Sequence, residues 1–66
     1  MKNEIKVLRK AKGVRQSDMA EAIGVARATI IAIENNQYNP SLELAFKIAD
    51  YFGKSIHDIF QPKPMP

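Results

Sequence analysis

The chain has 66 residues with ten Lys and Arg, seven Asp and Glu, one His and no Cys; a single domain is expected at this length, and the residues present leave no disulfide staple and no four-ligand set for a structural zinc site. A domain this short buries only about 60% of the surface its unfolded chain exposes, so self-association is the expected support. Seven of the ten basic residues (Lys2, Lys6, Arg9, Lys10, Lys12, Arg15 and Arg27) face only Glu4, Asp18 and Glu21 within residues 1–27, a surplus that points to a polyanion, nucleic acid being the commonest.

Apolar spacing is helical nearly throughout and predicts an all-α domain of five short helices. The first runs from about Asn3 or Glu4 to Lys12, with Asn3 as N-cap, Ile5 and Leu8 inward and Gly13 as the stop. The second spans Gln16 to Ile23, turns Met19, Ala20 and Ile23 inward and ends at Gly24. The third begins at about Arg27 and pairs Ile30 with Ile33, after which Asn35 and Asn36 close it, Asn36 being suited to the left-handed conformation. A polar loop leads to Pro40, and Ser41 caps the fourth helix, whose inward stripe is Leu44, Ala45, Ile48, Ala49 and Phe52 up to Gly53. The fifth starts from Ser55 as N-cap with Asp58 three residues on, and turns Ile56, Ile59 and Phe60 inward.

Residues 1–60 thus form the domain and residues 61–66 a Pro-rich tail, with Pro62, Pro64 and Pro66 at alternate positions. Two readings of the tail stand: a frayed extended end, or a short strand paired with the N-terminal residues or across a dimer, the prolines blocking one edge. No run of about 18 apolar residues and no signal-peptide pattern occur, so a soluble, cytoplasmic protein without a membrane partner is expected.

Two helices joined by a tight Gly turn suggest a helix-turn-helix. Counted from Gln16 as the first position, Met19, Ala20, Ile23, Gly24, Val25, Ile30 and Ile33 fall at positions 4, 5, 8, 9, 10, 15 and 18. Ala20 is small where the second and third helices cross, Gly24 accepts a positive φ, and the remaining residues lock the pair and turn the other face of the third helix outward. This pattern, with Gln16, Arg27, Thr29, Ile33-Glu34-Asn35 and Asn39-Pro40-Ser41-Leu42 around it, resembles the XRE-type helix-turn-helix family of the lambda repressor and Cro over about residues 4–60.

The resemblance implies a lambda-repressor-like fold in which the third helix enters the major groove and the second holds phosphates. The DNA-facing residues it implies are Arg15, Gln16 and Ser17, then Arg27, Ala28, Thr29 and Ile31, with Asn36, Gln37 and Tyr38 in the following loop. Arg27 is suited to bidentate contact with guanine O6 and N7, or to a plain phosphate contact. Ile31 is open to two readings, thymine-methyl contact or subsidiary core. Family members usually carry Ser or Thr where this chain has the N-caps Arg15 and Ala26; free N–H groups beside Arg15 and Gln16 make an anion site, so a DNA phosphate is expected to cap the second helix. Gln16 would then donate to that phosphate and brace the first base contact, and Arg9 and Glu34 would form a buried ion pair between the first and third helices.

Leu42, Ile59, Phe60 and Met65 exceed what one face per helix can bury and are the expected dimer interface. A two-fold dimer sets its reading helices about 34 Å apart, on an inverted repeat. Enzyme readings fail on inventory: Ser17, Ser41 and Ser55 sit at helix starts, and His57 has no partner at triad-like spacing. No cofactor, metal or small-molecule ligand is expected. The function expected is a sequence-specific regulator of transcription acting as a homodimeric repressor on double-stranded DNA; the alternative is an antitoxin-like or adaptor module acting through protein contacts.

Overall fold

A computed structural model describes residues 2–61. In chain order the elements are β1 (Lys2–Asn3), α1 (Ile5–Lys12), α2 (Gln16–Ile23), α3 (Arg27–Glu34), α4 (Leu42–Phe52), α5 (Ile56–Ile59) and β2 (Phe60–Gln61). None of these helices is long and apolar enough to cross a membrane.

The helix boundaries follow local chemistry. Ser41 Oγ accepts from the Leu44 N–H at 3.2 Å and caps α4, while Ser55 and Asp58 cap α5 reciprocally. Gly24 takes φ +88° after α2, and its N–H and that of Val25 both reach the Ala20 carbonyl, which produces the sharp turn into α3. After α3 the same need for a left-handed residue is met by Asn36 at φ +60°. At α1 the expectation needs correcting by one residue. The N-cap position is Glu4, and the capping bond comes from Asn3, whose Oδ1 accepts from the Ile5 N–H at 3.1 Å.

The two strands form an antiparallel pair with Lys2 opposite Gln61 and Asn3 opposite Phe60. The strand therefore starts one residue before the tail and uses the N-terminal partner within the same chain. Pro62, Pro64, Met65 and Pro66 lie outside the described residues. Phe60 is correspondingly not a helical residue of α5: its backbone is extended (φ −110°, ψ 120°). The Glu4 N–H donates to the Ile59 carbonyl at 2.8 Å, so the two ends of the domain are joined by backbone bonds.

The core centres on Ile5, Met19, Ile30, Ile33, Ile48 and Ile59, all essentially inaccessible, with Ala20, Ile23, Leu44, Ala45, Ala49 and Phe60 around them. Each helix contributes to it, and Leu8, Val25, Tyr51, Phe52 and Ile56 pack against its edge. Ile59 and Phe60 are 0% and 4% exposed in the single chain. They are core residues and cannot supply the expected dimer surface. The inward orientation that the helical pattern predicts for both is observed, and the core formed with the other helices accommodates them. Of the four residues named for that surface, Leu42 is exposed and Met65 lies outside the described residues.

Candidate nucleic-acid interface

Packing α2 against α3 through Met19, Ala20, Ile23, Ile30 and Ile33 brings the N-terminal turns of both helices to one surface. Arg15, Gln16, Ser17 and Arg27 line a single shallow depression there. Arg27 and Ala28 are exposed on the first turn of α3, whereas Thr29, Ile31 and Ala32 are half-buried. Ile31 thus presents part of its side chain outward and part inward, between the two readings left open for it.

The N-terminus of α3 carries no side-chain cap, as expected from Ala26. The N-terminus of α2 differs from expectation. Asp18 Oδ2 accepts from the Arg15 N–H at 3.0 Å and from Arg15 Nε at 3.1 Å. A guanidinium has no lone pair to offer, so the reciprocal half of a capping box is absent and no side chain caps the first-turn N–H groups of α2. The Arg15 guanidinium holds the Asp18 carboxyl below its ordinary range, and the Asp18 carboxylate raises Arg15 in turn, through the side-chain hydrogen bond first. Asp18 was not among the expected interface residues. Its signal was the i,i+3 spacing from Arg15 at a helix start.

Behind this surface lies a buried ion pair. Arg9 Nε donates to Glu34 Oε2 at 2.8 Å, with the two side chains 11% and 3% exposed, and Arg9 Nη1 donates to the Val14 carbonyl at 3.1 Å. The pair ties α1 to the end of α3. Gln16 extends it outward: its Nε2 donates to Glu34 Oε1 at 3.1 Å, and its Oε1 accepts from Arg27 Nη2 at 3.3 Å. One N–H of the Gln16 amide is therefore already used inside the protein. A continuous chain of hydrogen bonds runs from Arg9 through Glu34 and Gln16 to Arg27.

The loop after α3 is held by similar bonds. Asn3 Nδ2 donates to the Ile33 carbonyl at 2.8 Å and to Asn36 Oδ1 at 3.1 Å, so Asn36 has a structural partner. Gln37 and Tyr38 are exposed beyond it, Tyr38 by 48%. Asn3 was expected only as a helix cap, and its link to this loop was not foreseen because residues 3 and 36 meet only after the chain closes.

A Helix-turn-helix family model matches residues 5–59. The chain belongs to the XRE-type helix-turn-helix family. This helix-turn-helix domain is 55% identical over 60 residues to an HTH-type transcriptional regulator of Methanocaldococcus jannaschii, covering 91% of each chain. Among solved structures it is similar to the N-terminal DNA binding domain of SinR from Bacillus subtilis, with a TM-score of 0.79, 35% identity and coverage of 94% and 91% of the two chains. It is equally similar in fold to the restriction-modification controller protein C.AhdI from Aeromonas hydrophila, with a TM-score of 0.79, 30% identity and coverage of 86% of each chain. In this helix-turn-helix domain α2 and α3 are the motif helices, and the depression between their N-terminal turns is the candidate nucleic-acid contact surface.

Proposed function

We propose that the protein is a sequence-specific, double-stranded-DNA-binding repressor of transcription that acts as a homodimer on an inverted repeat. The observation that carries this reading is the convergence of Arg15, Gln16, Ser17 and Arg27 at the exposed N-terminal turns of the two motif helices. The N–H groups at the start of α2, which no side chain caps, suit a backbone phosphate. Arg27, at the head of α3, suits a guanine edge in the major groove, with Ala28, Thr29 and Ile31 beside it for weaker contacts. Asn36, Gln37 and Tyr38, exposed in the loop after α3, suit contact with the DNA backbone next to the motif. The basic surplus of residues 1–27 adds a favourable long-range field.

For the dimer, the supporting observation is an exposed apolar pair on α4. Leu42 and Phe46, one helical turn apart, are 69% and 54% exposed. Phe46 replaces Ile59 and Phe60 as the proposed companion of Leu42, and no reading of the inward stripe of α4 includes it. A monomer at micromolar concentration in analytical ultracentrifugation overturns the dimer.

DNA affinity measured across a salt series tests the reading itself. The logarithm of affinity is expected to fall against the logarithm of salt with a slope of about −0.9 for each phosphate contacted. A flat series rejects DNA binding and favours the adaptor or antitoxin-like alternative, in which the exposed α4 face grips a different protein.

A further inference from the structure

Two backbone groups fix the sense of the Asn3 side-chain amide. The Ile5 N–H can only donate, and Oδ1 accepts from it at 3.1 Å; the Ile33 carbonyl can only accept, and Nδ2 donates to it at 2.8 Å. A flipped amide sets NH2 against N–H and oxygen against oxygen, so one orientation remains. Nor is Asn3 free to move as a whole. Its backbone lies opposite Phe60 in the β1–β2 pair, and the N–H of the next residue, Glu4, donates to the Ile59 carbonyl. The NH2 placed in this way also reaches Asn36, whose Oδ1 accepts from it at 3.1 Å. The backbone around Asn36 is held as well: its N–H donates to the Ile33 carbonyl, that of Gln37 donates to the Ala32 carbonyl, and Asn36 takes φ +60°. Asn3 therefore passes its own orientation on to the Asn36 amide, with the oxygen towards β1 and the NH2 on the opposite side.

We infer that Asn3 is a positioning residue for contact with the DNA backbone: by engaging the oxygen of Asn36 it leaves the NH2 of that amide to donate to a phosphate. The inference deepens the DNA-binding reading above and rests on it. Phosphate oxygens only accept, so a neutral amide favours such a contact through its NH2 and opposes it through its oxygen. Asn36 is exposed, and an amide with no fixed neighbour presents either atom to an incoming group. A side chain oriented before binding also loses less freedom on binding. Asn3 is half-buried and acts through Asn36. The chain closure that pairs β1 with β2 thus sets the sense of a hydrogen-bonding group in the loop after α3.

The test is the affinity of the full chain and its variants for a duplex that the unmodified chain selects from a random pool. Asn36→Gly keeps a residue suited to positive φ and removes the amide. Affinity is expected to fall about tenfold, the size of one lost hydrogen bond to a charged group. The loss should fall on all sequences alike and leave the salt slope as it was, because no charge is removed. Asn3→Ser keeps an acceptor at the start of α1 but is too short to reach Asn36, and should cost a similar factor. In Asn36→Gly/Asn3→Ser the second change should add nothing. If Asn3 only holds the fold together, its effect on affinity persists in full beside Asn36→Gly; that result, or an unchanged affinity of either single variant, overturns the inference. The unmodified protein supplies an independent reading by NMR. The Asn3 side-chain amide protons should show nuclear Overhauser contacts to the Asn36 methylene protons, and the Asn36 side-chain NH2 resonances should shift when the duplex is added. Resonances that stay in place overturn the inference. Failure of the unmodified chain to enrich any sequence rejects the DNA-binding reading itself, an outcome distinct from enrichment with an affinity that Asn36→Gly leaves unchanged.

Discussion

Replacing Arg9 by Met removes one half of a buried charge pair and leaves the other half in place. In the native protein Glu34 accepts from Arg9 through Nε at 2.8 Å and through Nη2 at 3.5 Å, and from Gln16 at 3.1 Å. After Arg9→Met only the Gln16 bond remains, to a carboxylate that is almost wholly enclosed. Breaking a buried pair in this way costs about 3–5 kcal/mol. A chain of this length has a total stability of roughly 3–10 kcal/mol at about 0.05–0.15 kcal/mol per residue. The single variant should therefore be largely unfolded or close to it. Exchanging both partners for apolar residues of similar size, in Arg9→Met/Glu34→Leu, removes the stranded charge and should restore most of the loss. Urea titration followed by far-ultraviolet circular dichroism measures both. With a slope of about 1 kcal/mol per molar urea, the midpoint of the single variant falls by about 3 M or more, and that of the double variant stays within about 1 M of the native one. A loss below about 1 kcal/mol in the single variant, the range of an exposed pair, refutes the assignment of Arg9 and Glu34 as a buried, mutually dependent pair.

Three further outcomes are expected. Ala26→Ser supplies an acceptor for the uncapped first turn of α3 and should stabilise the free protein by about 1 kcal/mol, raising Tm by about 4–8 °C in a scan; an unchanged or lower Tm counts against it. Asp18 has its folded pKa depressed below 3.8 by Arg15, so its contribution is present above that ordinary value and is lost as pH falls through the lower folded value. Asp18→Asn should flatten this acid limb of the denaturation midpoint and, by releasing Arg15 for phosphate, raise DNA affinity and steepen the salt slope; a weaker-binding Asp18→Asn variant contradicts the second part. Leu42→Glu/Phe46→Glu should leave the fold intact, since both side chains are largely exposed, yet shift sedimentation from dimer to monomer, and an unchanged dimer places the interface elsewhere.

Much of the architecture was legible because it depends on interactions close in sequence. Helix limits at Gln16, Ile23, Arg27 and Phe52 follow from caps, glycines and a 3.6-residue apolar period, each set within one or two turns of chain. The spacing of Met19, Ala20, Ile23, Gly24, Val25, Ile30 and Ile33 is local in the same sense, which is why the motif and the pairing of α2 with α3 emerge without coordinates. The likeness of the surrounding residues to a known family also pointed to Arg9 and Glu34 as a pair, although 25 residues separate them.

Other features needed the closed chain. Ile59 and Phe60 face inward in the local pattern yet count as surplus to what their own short helix can bury; the assembled core accommodates both, and the exposed apolar role falls to Leu42 and Phe46. Asn3 resembles a simple helix cap until the fold sets it against Ile33 and Asn36. Gln16 shows the same division most clearly. Its amide can donate or accept in either direction, and sequence alone leaves that choice open. Only tertiary packing, which puts a carboxylate on one side and a guanidinium on the other, removes the choice. The sequence by itself carried the resemblance to the family, the two motif helices and the basic surplus of residues 1–27, because these rest on residues close together in the chain and on composition. Which side chains stay free at the surface, and in which sense their hydrogen bonds point, was decided by contacts between residues far apart in the chain.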